Sequence, residues 1–209
     1  MAKNAKRGRF IVLDGPEGSG KTTQVSFLAE RLKQAGVGVV SVRDPGGTAV
    51  SERIREVLLD TDLGHLEPLT EMFLYMASRA EMVARVIRPA LEAGRTVVCD
   101  RFISSTVAYQ GYAGGLDPAE ILRCGHVACG GLWPDRVVLL DLPAEEGFRR
   151  IVRQHDRMER KGLEFHRRVV EGFRKLAAAD ADRCVLVDAR GSVEEVAERI
   201  WEAVGRVVL

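Results

Sequence analysis

The sequence predicts an α/β fold, a five-stranded parallel sheet with helices on both faces. Three observations predict it. Short β-rich apolar runs alternate with longer stretches of helical period along the chain. A glycine-rich turn closing in Lys-Thr joins the first apolar run to the first helical one. At 209 residues the chain is long enough to bury a core on both faces of a sheet, with residues 1–209 as one domain.

The elements follow in order. Residues 1–8 are basic and lack the apolar region and small-residue cleavage site of a secretion signal, so a solvated tail is expected. The first strand runs from Phe10 to Leu13, and a helix from Thr22 to Ala35 follows its glycine-rich turn. Val37 to Val42 is the second strand. Helical stretches from Val50 to Leu59 and from Leu69 to Ala93 lead to the third strand, Thr96 to Cys99. Two more, Ser104 to Tyr112 and Pro118 to Cys129, precede the fourth, Arg136 to Leu140. Helices from Ala144 to Gln154 and from Leu163 to Ala179 flank the most charged segment, about residues 149–161. Cys184 to Val187 is the fifth strand, and Val193 to Val204 the last helix.

Composition narrows the function classes. Lys and Arg total 31 against 30 for Asp and Glu, which gives no support to a general nucleic-acid or membrane-surface role. No segment approaches the roughly 20 consecutive apolar residues of a membrane span, so a soluble protein is expected. Four scattered cysteines do not make a disulfide framework and fit a reducing cytoplasm. Cys124, His126 and Cys129 are metal-ligand types, but without a C-x-x-C knuckle or an evident fourth ligand they are read as a helix end with two partly buried thiols.

The run Gly15-Pro16-Glu17-Gly18-Ser19-Gly20-Lys21-Thr22 fits the phosphate-binding pattern G-x-x-x-x-G-K-[ST] between a strand and a helix. Its glycines allow a tight loop whose backbone N–H groups turn onto phosphates. Lys21 then reaches the outer phosphates, Thr22 offers a hydroxyl to Mg²⁺, and the helix presents its positive N-terminal end. Asp100, ending the third strand, is a second candidate for Mg²⁺, although a carboxylate there also suits a helix cap for the segment near Ser104. A guanine-reading N-K-x-D motif is absent, since the only asparagine is Asn4. Small-molecule kinases, ATPases and non-catalytic nucleotide modules remain.

Further motifs then occur in order across almost the whole chain. Asp14-Gly-Pro-Glu17-Gly-Ser-Gly-Lys-Thr-Thr-Gln24, Val42-Arg43-Asp44-Pro45-Gly46-Gly47-Thr48, Tyr75-Met-Ala-Ser-Arg79, and Asp100-Arg101-Phe102 followed by Ser104-Ser-Thr106-Val-Ala-Tyr109-Gln110-Gly together resemble the thymidylate kinases. The resemblance implies a P-loop kinase fold with strand order 2-3-1-4-5, ATP as donor, dTMP as acceptor, Mg²⁺ as cofactor and a homodimer in the cytoplasm. It places ATP on residues 15–23, from Gly15 to Thr23. It places dTMP against Glu17, Asp44, Pro45, Arg55, Tyr75, Arg79, Arg101, Ser105, Thr106, Tyr109 and Gln110.

The implied roles make chemical sense for a nucleoside monophosphate. Arg101 and Arg55, with Arg43 behind them, supply guanidinium forks for a dianionic 5′-phosphate. Tyr75 lies against thymine, Arg79 donates to a base carbonyl and Thr106 meets the Watson–Crick edge, while Tyr109 crowds the sugar C2′. On periodicity alone Tyr75 reads as core. Asp44 stands where the family usually has Glu and is one methylene shorter. Glu17 is implied near the 3′-hydroxyl and the metal.

Phosphoryl transfer rests on positioning and charge neutralisation. Some members of the family carry an extra arginine in the phosphate loop and others in a lid. Here Pro16-Glu17-Gly18-Ser19 holds no basic residue, so the lid arginines Arg153 and Arg157 become the catalytic candidates beside Lys21, Asp100 and Arg101, with Arg149 and Arg150 in reserve. The alternative for the run is a solvated helix face. Val187-Asp188-Ala189-Arg190 fits either an adenine-side loop or a turn before the last helix. A kinase for another monophosphate or small metabolite, and a regulatory module without turnover, are the rival functions.

Overall fold

One all-parallel sheet in the order β2-β3-β1-β4-β5 organises the computed structural model, which describes residues 7–151 and 156–208. β1 (Phe10–Asp14) is central, between β3 (Thr96–Asp100) and β4 (Arg136–Asp141), with β2 (Val39–Arg43) and β5 (Cys184–Asp188) at the edges. Successive β1 side chains enter opposite cores. Phe10 and Val12 pack with Met72, Val107, Phe165 and Phe173, whereas Ile11 and Leu13 pack with Val25, Leu28, Val196 and Ile200.

Every strand runs one residue past its predicted end, to Asp14, Arg43, Asp100, Asp141 or Asp188. The apolar pattern stops there, but the ladder is made by backbone groups and continues through the pairs Arg43↔Asp100 and Asp141↔Asp188. Polar side chains are thereby fixed at the carboxyl edge of the sheet, where ligands bind in open α/β folds. β2 starts at Val39 rather than Val37, whose N–H closes the end of α1 (Lys21–Gln34) on the Leu32 carbonyl.

The helices largely follow the predicted periods. α2 (Ala49–Leu59), α6 (Pro118–Ala128) and α8 (Leu163–Ala179) match within a residue, and α9 (Val193–Val208) runs four residues further than expected. The helix expected over residues 69–93 is α3 (Pro68–Met82), a π-helical stretch Val83–Ile87 and α4 (Arg88–Glu92). Pro89 lacks an N–H and its ring would meet the Arg85 carbonyl, and the widened turn before it relieves both. α5 (Ile103–Thr106) likewise passes into a π-helical stretch, Val107–Ala113. α7 (Ala144–Arg150) ends at Ile151, short of Gln154, which lies outside the described residues.

Candidate active site

The loop from Gly15 to Gly20 joins β1 to α1 and curls around the Lys21 side chain. Lys21 is buried, and its Nζ donates to the Pro16 carbonyl at 2.7 Å and to Ser19 Oγ at 3.3 Å. A side chain at Gly15 would meet the Leu140 carbonyl at 2.7 Å, so the loop lies flush on β4. Burial, helped by the nearby Arg101 cation and opposed by Glu17, Asp100 and Asp14, brings the Lys21 ammonium down to about 8.

Thr22 Oγ1 donates to Asp100 Oδ2 at 2.6 Å. Asp100 therefore serves α1 and not the helix after β3, whose first turn is preceded by Phe102. Two hard oxygens side by side fit Mg²⁺, which takes one or two protein oxygens and leaves its other positions to phosphate and water.

Asp14, the last residue of β1, is fully buried and ties the loop to the segment after β3. Its carboxylate accepts from Gly15 N at 2.8 Å and from Ser104 Oγ and Ser105 Oγ at 2.6 Å each. Arg101 follows Asp100 with φ of 68°, a left-handed conformation unusual for a residue with a Cβ. That turn aims its guanidinium back at the loop. It donates to Glu17 Oε1 at 2.6 Å, the Gly15 carbonyl at 3.0 Å and Ser105 Oγ at 3.0 Å. Burial disfavours a charged Glu17, but Arg101 and Lys21 outweigh it and hold the carboxyl at about 2. Tyr109 Oη donates to the same Glu17 oxygen at 3.0 Å.

Beyond this cluster lies a pocket lined by Glu17, Asp44, Pro45, Arg55, Tyr75, Arg79, Arg101, Ser105, Thr106, Tyr109, Gln110 and Met158. Every residue expected to meet the monophosphate is on its wall. Arg79 is almost wholly buried, pairs with Asp44 at 2.6 Å and reaches Thr106 Oγ1 at 3.3 Å. The shorter Asp44 thus makes a direct ion pair. Gln110 faces away from solvent and donates to Glu71 Oε2 at 2.8 Å. Glu71, fully buried one turn before Tyr75, also accepts from Arg157 Nη1 and from Lys161 Nζ at 2.9 Å.

A second pocket, lined by Gly18, Gly20, Lys21, Thr22, Thr23, Arg43, Asp100 and Arg150 among others, opens beside the first. Glu17, Asp44, Arg55 and Arg101 line both. The family model for thymidylate kinase matches residues 13–200, which contain both pockets.

The chain belongs to the thymidylate kinase family. It is 52% identical to a thymidylate kinase of Synechococcus sp. (strain JA-2-3B'a(2-13)) over 195 residues, 93% of each chain. A thymidylate kinase of Deinococcus radiodurans is 48% identical over 200 residues, 95% of this chain and 97% of the other. In three dimensions it resembles the crystal structure of thymidylate kinase from Ehrlichia chaffeensis with TM-score 0.78 and 31% identity, over 94% of this chain and 98% of that one. The strand order implied by the sequence resemblance is the order observed.

The expected lid is only partly placed by this geometry. Arg153 lies outside the described residues. Arg157 was expected over the transferred phosphate, but its Nε donates to the Leu58 carbonyl at 2.9 Å and its Nη1 to Glu71, so in this conformation it braces α3 and lines neither nucleotide pocket. Of the described arginines in residues 149–161, Arg150 is the one on the wall of the phosphate pocket, beside Arg43, Arg55 and Arg101, and its Nη1 also donates to the Ala189 carbonyl at 3.2 Å. Arg43 pairs with Glu52 at 3.2 Å and lies on the rim. Gly15, Pro16 and Ser19 shape the phosphate loop without lining its pocket. Asp188 and Arg190 pair with each other at 2.8 Å, next to the Ala189 carbonyl. His126 Nδ1 accepts from Trp133 Nε1 at 3.3 Å, Cys129 is buried and Cys124 is half-buried.

Asp14, Glu71 and Met158 were not found from the sequence. The signal for Asp14 was its place directly after a buried strand, parallel to that of Asp100. Glu71 carried none, because an acid in a helical period reads as a solvent-facing residue until its two cations are placed.

Proposed function

We propose that this chain transfers the γ-phosphate of ATP to the 5′-phosphate of dTMP, giving ADP and dTDP, with Mg²⁺ held at Thr22 and Asp100. The observation that carries the reading is the shared wall of Glu17, Asp44, Arg55 and Arg101 between a phosphate-loop pocket and a second pocket that gathers Tyr75, Arg79, Thr106 and Tyr109. Two anionic ligands placed there meet end to end at two arginines. Lys21 neutralises the outer phosphates of the donor, and Arg101, locked by Glu17, holds the acceptor phosphate in line. Thr22 and Asp100 would hold the Mg²⁺, which would supply neutralisation of the charge on the donor phosphates. Tyr75, Arg79 and Thr106 face the base, and Tyr109 faces the sugar. Arg153 or Arg150 supplies the closing cation from the lid, residues 149–161.

The same reading includes a homodimer and the cytoplasm. Exposed Val50 and Val57 on α2, Leu69 and Phe73 on α3, and Leu122 and Val127 on α6 support self-association, since these helices adjoin. No described helix is long and apolar enough to cross a membrane. ADP release measured over a panel of nucleoside monophosphates tests the function. dTMP should give the highest kcat/KM, and a preference for another monophosphate would refute the assignment.

A further inference from the structure

Gly147 sits in the middle of α7, where alanine is the better helix former, yet the position has no room for a methyl group. A Cβ there would lie 2.2 Å from the Glu17 carbonyl oxygen, and a Cβ at Gly18 would lie 2.2 Å from the Gly147 carbonyl oxygen. The two backbones touch through their glycines. Both obstacles are main-chain atoms, which cannot swing aside as a side chain does. A methyl group at either position requires the strand of loop and the helix to part until that 2.2 Å exceeds the 3.0 Å below which real Cβ contacts do not occur.

Three residues beyond Gly147, Arg150 lines the same pocket as Lys21. On the other side of the contact, Glu17 clamps Arg101 and Tyr109 at the joint between the two pockets. The contact therefore fixes the distance between the helix that enters the lid and the loop that holds the donor phosphates. We propose that the Gly18–Gly147 backbone contact is the seat of the lid helix on the phosphate loop, and that Gly147 is a positioning residue for phosphoryl transfer. This rests on the reading of the chain as a dTMP kinase.

The weaker partner yields when the seat is overfilled. The loop is pinned by Gly15 N on Asp14, by Lys21 on the Pro16 carbonyl and by Arg101 on the Gly15 carbonyl. α7 has only seven residues, and its ties include the edge-to-face contact of Phe148 with His166 at 4.8 Å and two exposed or half-exposed arginine contacts, Arg167 on Glu145 and Arg150 on the Ala189 carbonyl. Displacement falls on α7 and Arg150, and the monophosphate pocket keeps its shape.

Gly147→Ala should lower kcat by about tenfold to 10²-fold, the cost of misplacing a charge by on the order of 1 Å. The dTMP dissociation constant should stay within about twofold of the unsubstituted protein, because that pocket does not move. Amide exchange in residues 15–20 and 144–151 of the ligand-free chain should speed up, a readout that needs no turnover. Gly18→Ala should give the same pattern from the loop side. Gly205→Ala, in α9 with only the Trp201 ring nearby at 3.9 Å, is the control that should leave turnover and exchange alone. Unchanged exchange in Gly147→Ala overturns the seat, and faster exchange with unchanged kcat, or with dTMP binding weakened as much as kcat, overturns its positioning role. Failure of the unsubstituted chain to phosphorylate dTMP would instead sink the functional reading, and the exchange result would still report on the contact.

Discussion

The pocket proposed for the acceptor and the pocket proposed for the donor are built in opposite ways. Around the acceptor, charges are already paired: Arg79 with Asp44, Arg101 with Glu17, and Arg157 and Lys161 with Glu71. Each pair joins elements far apart in sequence, so the walls are braced before any ligand enters. Around the donor the scaffold is backbone. A glycine loop lies flush on β4 and α7, and Lys21 rests on two neutral oxygens. The acceptor side is thus arranged for recognition and the donor side for charge that arrives with the nucleotide. Changes on the acceptor side should therefore register in stability and specificity, and changes on the donor side in rate.

The largest expected effect is at Glu71. Replacing it by Gln leaves Arg157 and Lys161 facing a neutral amide in a buried site, and breaking such a pair costs about 3–5 kcal/mol. Denaturant unfolding of Glu71→Gln should reveal that loss as a lowered midpoint with an unchanged m-value. A loss below about 1 kcal/mol, the scale of an exposed pair, would mean that the brace is not a structural tie.

Lys21→Ala comes next and should behave in the opposite manner. It removes the cation nearest the outer phosphates, so kcat should fall by at least about 10²-fold, while the dTMP dissociation constant and the melting temperature change little. Titration gives a second view of the same group. With Lys21 at about 8 in the free protein, its charge is lost as pH rises through that value. The kcat/KM for ATP should accordingly fall about tenfold per pH unit above it, because kcat/KM follows the free enzyme. A profile flat to pH 10 would place Lys21 in a different environment.

Tyr109 gives the smallest effect and separates its ring from its hydroxyl. Tyr109→Phe removes one hydrogen bond to the ionised Glu17, worth about 1.5–3 kcal/mol, and keeps the ring, so the ratio of kcat/KM for deoxy- over ribo-monophosphates should hold. Tyr109→Ala should narrow that ratio. Equal ratios in all three proteins would remove the ring from sugar selection.

Much of this was legible in the sequence, for reasons that differ by residue. Lys21 and Thr22 announce themselves because a phosphate loop needs that spacing. Tyr75 and Arg79 were legible through the company of motifs and not through periodicity, which makes Tyr75 look like core. The strand ends were misjudged by one residue each because an apolar pattern reports burial, whereas Asp14 and Asp100 are held by backbone pairing. The π-helical stretches leave no periodic trace. The segment around Arg157 misled most: a charged run cannot say which member turns inward, and the answer depends on Glu71, 86 residues away. Gly147 was invisible as well, since its obstacle is the carbonyl of Glu17 on another element.

The central claim is that donor and acceptor sites meet at Glu17, Arg55 and Arg101, so that one ligand can fill both. A dinucleotide of adenosine and thymidine joined by a polyphosphate bridge measures this directly. Its inhibition should be competitive against ATP and competitive against dTMP, and Lys21→Ala and Arg101→Ala should each weaken it. Inhibition competitive with one substrate and noncompetitive with the other would show that the two sites do not adjoin, and would contradict the account.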